Sequence, residues 1–170
     1  QEAMESGRLL RDQGFDFDVC HTSYLKRAIH TLNYILEQMD REWLPVFKTW
    51  RLNERHYGAL QGLNKAETAA KYGDEQVRIW RRAFDAPPPT LEESDPRNPR
   101  LLEMYRGVDK SFLPLTERLK MTITRAMPHF LEVIRKDQTE GRGVLVSAHG
   151  NTWRALVKYF GNLSEAGTVD

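Results

Sequence analysis

The chain has 170 residues and a formal net charge of +1, a length that can bury a sizeable core in one domain and a balance that argues against a nucleic-acid binder held by phosphate contacts. No run is apolar enough for long enough to cross a bilayer, so a membrane is not an expected partner either. Cys20 is the single cysteine, which leaves no pair for an internal disulfide and fits a reducing compartment.

Ala3, Met4, Leu9 and Leu10 fall at helical spacing and predict an amphipathic helix closed by Gly14. Phe15-Asp-Phe-Asp-Val-Cys20 alternates with period two and reads as a short strand, with His21-Thr-Ser23 as the turn after it. Ser23 is a suitable N-cap for a helix carrying Leu25, Ala28, Ile29, Leu32, Ile35, Leu36 and Met39 on its inner side. That places Lys26 and Arg27 in the first turn, where positive charge opposes the helix dipole. Either an anion also sits there or the turn is a solvated basic one. Leu44-Pro-Val-Phe-Lys-Thr-Trp50 is a second candidate strand with a proline near its start.

Arg51-Leu-Asn-Glu-Arg-His-Tyr-Gly-Ala-Leu-Gln-Gly62 has neither helical nor strand periodicity. Glu54, Arg55, His56 and Tyr57 stand in a row ahead of two glycines that permit a tight loop against a ligand. Asn64 and Glu67 have the spacing of a capping box opening a helix that ends at Gly73; Asp74 caps the next, with Val77, Trp80, Arg81 and Arg82. Ala86 to Pro99 is proline-rich and acidic, which predicts a long irregular excursion and a candidate lid. A helix is expected from about Thr116, with Leu119, Ile123, Met127, Phe130 and Ile134 inward and a kink at Pro128.

Val144-Leu-Val-Ser-Ala148 reads as a central strand buried on both faces, with His149 at its C-terminal tip. The helix after it should turn Trp153, Leu156, Val157 and Phe160 inward and stop at Gly161, and Ser164 would cap a further helix. Strands alternating with helices predict an α/β fold, three-layered, with a mostly parallel sheet in a single domain over residues 1–170.

Several chemistries lack their signatures. The five histidines show no HExxH or paired-ligand spacing and no second cysteine exists, so no metal is expected; GxGxxG, the P-loop and GxSxG are absent too. What stands out is a set of cations (Lys26, Arg27, Arg55, Lys65, Arg81 and Arg82) with one carboxylate, Glu54, and one imidazole, His149. In open α/β sheets the rim at the strand tips binds ligands, and arginines donate bidentately to phosphate and carboxylate alike. His149 could stabilise charge on a phosphoryl group in transit while Glu54 moves a proton, provided burial or a neighbouring anion raises its proton affinity. A lone histidine at a strand end can equally be a structural residue.

His21-Thr-Ser-Tyr-Leu-Lys-Arg-Ala28, Arg51 to Lys65, Trp80-Arg-Arg82 and Ser147-Ala-His-Gly-Asn-Thr152, in one register, resemble the cofactor-dependent phosphoglycerate mutases of the histidine phosphatase superfamily. The resemblance implies interconversion of 3- and 2-phosphoglycerate in glycolysis and gluconeogenesis, through a phosphohistidine primed by 2,3-bisphosphoglycerate and without metal. It implies a cytoplasmic homodimer or homotetramer acting on a small phosphorylated carboxylate. By motif, Arg27 and His149 would belong to the phosphate pocket, and Glu54 would be the proton donor and acceptor. Tyr57, Lys65, Arg81, Arg82 and Asn151 would hold the substrate's anionic groups, with Arg55 in support. His149-Gly150 resembles the family's second, assisting histidine; the Arg-His-Gly motif carrying the phosphorylated one does not occur in these residues, nor does a family-like tail follow Asp170. Gln1 already lies in a helical pattern, so both ends are expected to be cut from a longer protein. A phosphatase of the same superfamily and a non-catalytic anion-binding fragment are the alternatives.

Overall fold

Val19-Cys-His-Thr22 forms strand β1 and is buried at every position. In the computed structural model, which describes residues 1–82 and 84–161 apart from the side chains of Lys65, Arg81 and Arg82, β1 lies between β2 (Val46–Lys48) and β3 (Val144–Ser147). Both pairings are parallel: Cys20 stands opposite Val46 and Leu145, and Thr22 opposite Lys48 and Ser147. Helices fill the intervals: α1 (Glu2–Asp12), α2 (Lys26–Met39), α3 (Lys65–Tyr72), α4 (Asp74–Arg82), α5 (Leu119–His129), α6 (Arg135–Thr139) and α7 (Gly150–Gly161). A parallel sheet flanked by helices is the expected α/β class, because parallel neighbours need crossover segments that cover the faces. Among the described residues no helix is long and apolar enough to cross a membrane.

The chain divides into two compact units, the first made of Gln1–Glu54 and Arg125–Trp153, the second of Arg55–Thr124 and the chain from Arg154 onward. In the first, Cys20, Leu32, Leu36 and Leu44 form a buried cluster with Phe17, Val46 and Leu145 packed against it. Burial pushes the Cys20 thiol up to about 11, so it behaves as a small apolar side chain. α1 lies close against α2: a Cβ on Gly7 would stand 2.8 Å from both Gln38 Cβ and the Ile35 carbonyl.

Four expectations for this unit are corrected. The strand predicted over Phe15–Cys20 lies instead at Val19–Thr22, because Asp16 and Asp18 are engaged outside the sheet, with Arg41 and with the Gly143 N–H. His21 and Thr22 are therefore strand residues rather than a turn, and their polar atoms are paired: His21 Nε2 is 3.1 Å from Asp137 Oδ2, and Thr22 Oγ1 donates to the Ser147 carbonyl at 2.8 Å. Ser23 does not cap α2, whose cap position is Leu25; its Oγ accepts the Leu25 N–H at 3.0 Å. Among the described strands β1 is central and β3 is an edge, which leaves Val144, Leu145 and Val146 only partly buried.

Most of the remaining elements keep the local signals. Asn64 and Glu67 form the full capping box at the start of α3, while Asp74 is the first residue of α4 rather than its cap, the Gly73 carbonyl accepting the Val77 N–H. Ala86 to Asn98 is irregular as expected, yet Pro88, Leu91 and Asn98 are buried. Leu91 N–H bonds to the Leu115 carbonyl, so the excursion is anchored at that point. α5 contains Pro128, and the chain widens into a π-helical turn at Phe130–Ile134 directly after it, the distortion expected where a proline supplies no N–H. α7 differs from expectation in phase: Thr152, Ala155 and Leu156 are buried while Trp153, Val157 and Phe160 are exposed. Thr152 Oγ1 donates to the Asn53 carbonyl at 2.9 Å in the first turn, and that bond sets the inward face. The helix start expected at Ser164 lies outside the described residues.

Candidate active site

Glu54 is held by its backbone. A short 3₁₀ turn, Trp50–Leu52, begins where Thr49 Oγ1 accepts the Arg51 N–H and delivers Asn53 and Glu54 beyond it. Asn53 Oδ1 accepts the Tyr24 N–H at 2.9 Å, and its carbonyl accepts from Arg125 Nη2 and Thr152 Oγ1, each at 2.9 Å. The Glu54 carbonyl accepts a further Arg125 bond at 3.1 Å, and Arg125 Nη1 donates to the Arg51 carbonyl at 2.8 Å. Glu54 itself is half-buried.

His149 follows β3 and opens α7, its carbonyl accepting the Trp153 N–H at 2.9 Å. The side chain is 7% exposed, and its Nε2 lies 2.9 Å from Ser23 Oγ. Burial holds the imidazole below its ordinary value; the Glu54 carboxylate opposes this, and the Arg27 and Arg125 cations reinforce it. A neutral ring at neutral pH can donate one N–H and accept at the other nitrogen. Arg27 is exposed in the first turn of α2, which holds no acidic residue, and Asn151 is half-buried one residue past the start of α7.

In the second unit Arg55 is 2% exposed and spends its donors on backbone: Nε bonds to the Glu117 carbonyl at 2.8 Å, and Nη2 to the carbonyls of Trp80 at 2.8 Å and Ala86 at 3.4 Å. Its guanidinium also lies over the Tyr57 ring, 5.4 Å from the centroid. Glu117, 1% exposed, accepts the His56 N–H through Oε2. Lys65 begins α3, and Arg81 and Arg82 end α4.

Arg27 and Glu54 thus both act on His149 within the first unit. Ser23, Asn53, Arg125 and Thr152 join them, and sequence reasoning assigned none of these four to the site. Ser23, Asn53 and Thr152 lie inside recognised motifs, a usable signal, whereas Arg125 sits mid-helix beside Ala126 and Met127 with none. Among the described residues no group of three or more His, Cys, Asp or Glu side chains is gathered as a metal site would require.

A parallel sheet with helices between its strands, and an imidazole under the charges of a carboxylate and two arginines, define an α/β protein with a polar cluster at one end of its sheet. Residues 1–168 match the histidine phosphatase superfamily (branch 1), and the chain belongs to that family. It is 68% identical over 165 residues to the 2,3-bisphosphoglycerate-dependent phosphoglycerate mutase of Treponema denticola, covering 97% of this chain and 67% of the relative. The enzyme of the same name from Lachnoclostridium phytofermentans is 60% identical over 163 residues, covering 96% of this chain and 66% of the relative. The chain therefore spans about two thirds of the length of these curated relatives. A mycobacterial glucosyl-3-phosphoglycerate phosphatase has the same fold, with a TM-score of 0.68 at 21% identity over 98% of this chain and 68% of that one.

Proposed function

We propose that the full-length protein is a phosphoglycerate mutase that interconverts 3- and 2-phosphoglycerate in glycolysis and gluconeogenesis. The observation that carries this reading is the buried His149 ring set against Ser23 and under the opposed fields of Glu54, Arg27 and Arg125. The first turn of α2 offers Lys26 and Arg27 and holds no acidic residue, which suits a phosphoryl group and fits a bisphosphorylated ligand. When bound, 2,3-bisphosphoglycerate supplies the phosphoryl group that primes the enzyme.

In this reading Arg27 and His149 form the phosphate pocket and stabilise charge on the equatorial oxygens as the phosphoryl group moves. His149 assists, and the phosphohistidine of this route is not assigned to any histidine of these residues. Glu54 takes the proton from the attacking substrate hydroxyl and returns it to the leaving oxygen in the reverse step. Tyr57, Lys65, Arg81, Arg82 and Asn151 hold the remaining phosphate and the carboxylate, while Arg55 supports the loop before Tyr57 from its buried place. We further read the chain as part of a single phosphoglycerate mutase-like domain in a cytoplasmic homodimer or homotetramer.

The test is an assay of the full-length protein with 3-phosphoglycerate and a catalytic amount of 2,3-bisphosphoglycerate, following 2-phosphoglycerate and inorganic phosphate together. Isomer formation without stoichiometric phosphate is expected; phosphate release without isomer would assign a phosphatase instead. Glu54→Gln should lower kcat by about 100-fold or more, the usual size for a proton-transfer group, with a much smaller change in substrate affinity. Near-normal turnover in that variant removes Glu54 from the proton-transfer role.

A further inference from the structure

Three parts of the first unit, distant in sequence, meet on Asn53. Its Oδ1 is bonded to the Tyr24 N–H, next to Ser23, whose Oγ touches His149 Nε2. Its carbonyl is bonded to Thr152 Oγ1, three residues beyond His149 in the first turn of α7. The contacts close a ring from Asn53 through Tyr24 and Ser23 to His149, and from His149 through Thr152 back to Asn53. Arg125 lies on this ring from α5. It is 8% exposed, and its two terminal nitrogens reach the carbonyls of Arg51, Asn53 and Glu54 at 2.8, 2.9 and 3.1 Å. Arg51 Nη1 returns a bond to the Arg125 carbonyl at 3.0 Å.

We propose that Arg125 is a positioning residue that aims the Glu54 carboxylate relative to His149 by gripping the carbonyls before and after the Glu54 Cα. A residue whose preceding and own carbonyls both turn toward one planar guanidinium cannot change its backbone torsions without breaking several bonds at once, so the direction of the Glu54 side chain is set by the backbone. Thr152 and Tyr24 place the same peptide against the element that carries His149. Arg125 has a second effect through space: its cation, with Arg27 and against Glu54, contributes to keeping His149 neutral.

The part of this inference that concerns turnover rests on the mutase reading; the part that concerns the His149 ring does not. The experiment measures kcat, KM and thermal midpoint of the full-length protein for Arg125→Met, Arg125→Lys and Thr152→Val. It also follows His149 titration by NMR of the imidazole nitrogens in the same proteins. Arg125→Met should lose about 100-fold in kcat with KM for 3-phosphoglycerate changed by less than about threefold, the pattern of a misaimed group rather than a lost binding contact. Its His149 titration should move, because the ring loses a repelling cation and the Glu54 carboxylate it faces is displaced. Arg125→Lys keeps the charge but not the fork, so it should restore both the His149 titration and kcat only in part. Thr152→Val removes one bond of the ring and should cost kcat about tenfold, with the His149 titration unmoved. A structural role alone would lower the thermal midpoint and leave kcat per folded molecule intact, and that result overturns the proposal. If Arg125→Met does not fold, wild-type kcat in both Arg125→Lys and Thr152→Val overturns it equally. If the full-length protein shows no mutase activity, the titration of Arg125→Lys, which keeps the charge and loses the fork, decides: a His149 that titrates as in the wild type rejects the inference, and one that stays displaced sustains it while the mutase reading falls.

Discussion

Replacing His129 with glutamine tests whether the buried imidazoles of the first unit govern stability in acid. His129 Nε2 lies 3.3 Å from His21 Nδ1, the rings meeting edge-on with centroids 5.3 Å apart. His21 is fully buried, stacked on Phe47, and bonded through Nε2 to Asp137, which also receives Arg142 Nη1 at 2.9 Å. Burial first, then His21 and the Arg51 cation, push His129 down from 6.5 to about 4, with Asp137 acting in the opposite direction. That difference corresponds to about 3 kcal/mol, of which partial solvent access to the ring leaves about 1 to 2. Because the folded state resists the proton, the unfolded chain takes it up first as pH falls. His129 therefore costs no stability above about pH 6.5, and folding loses stability progressively down to about pH 4.

Urea unfolding of the wild type and His129→Gln at several pH values between about 7 and 4.5 measures the contribution of His129 together with its coupling to His21. Wild-type stability minus variant stability should fall by about 1 to 2 kcal/mol across that range. Parallel stability curves would refute the reasoning, because they would mean that His129 binds its proton equally well folded and unfolded.

Three further outcomes follow from the second unit. Arg55→Met strips the carbonyls of Glu117, Trp80 and Ala86 of a buried charged donor and should destabilise by about 3 kcal/mol or more, read as a lowered urea midpoint; a loss under about 1 kcal/mol would mean that those carbonyls find other partners easily. Gly58 has φ +57°, and a Cβ there would stand 2.1 Å from the Pro89 carbonyl and 2.9 Å from Thr116 Oγ1. Gly58→Ala should therefore cost about 2 to 4 kcal/mol in the same unfolding experiment, and a neutral result would deny the close approach. Asn64→Ala breaks the capping box of α3 and should cost about 1 kcal/mol, whereas Asn64→Ser should recover most of it; equal losses in both would exclude capping as the cause.

The residues themselves determined whatever depends on neighbours within a few positions. The apolar stripe of α2, the capping box at Asn64 and Glu67, the short β2 and the distortion after Pro128 follow from side-chain spacing, local hydrogen bonding and a missing N–H. The motifs around Glu54 and His149 could likewise be read off, because each is a run of functional side chains that no periodicity explains.

What the tertiary structure alone decided involves partners far along the chain. His21 and Thr22 can occupy a buried strand because Asp137 and Ser147, 116 and 125 residues away, accept their polar atoms. Ser23 serves His149 instead of capping a helix for the same kind of reason. The alternation of Phe15 to Cys20 misplaced a strand because periodicity cannot distinguish a sheet from a segment held by Arg41 and Gly143. α7 turned Thr152 inward and Trp153 outward once the Asn53 carbonyl was within reach. Arg125 had no local signal because its role is to satisfy backbone carbonyls more than 70 residues earlier in the chain. A hydrogen bond or a desolvated charge takes its worth from the atoms opposite it, and those are assembled only when distant segments pack.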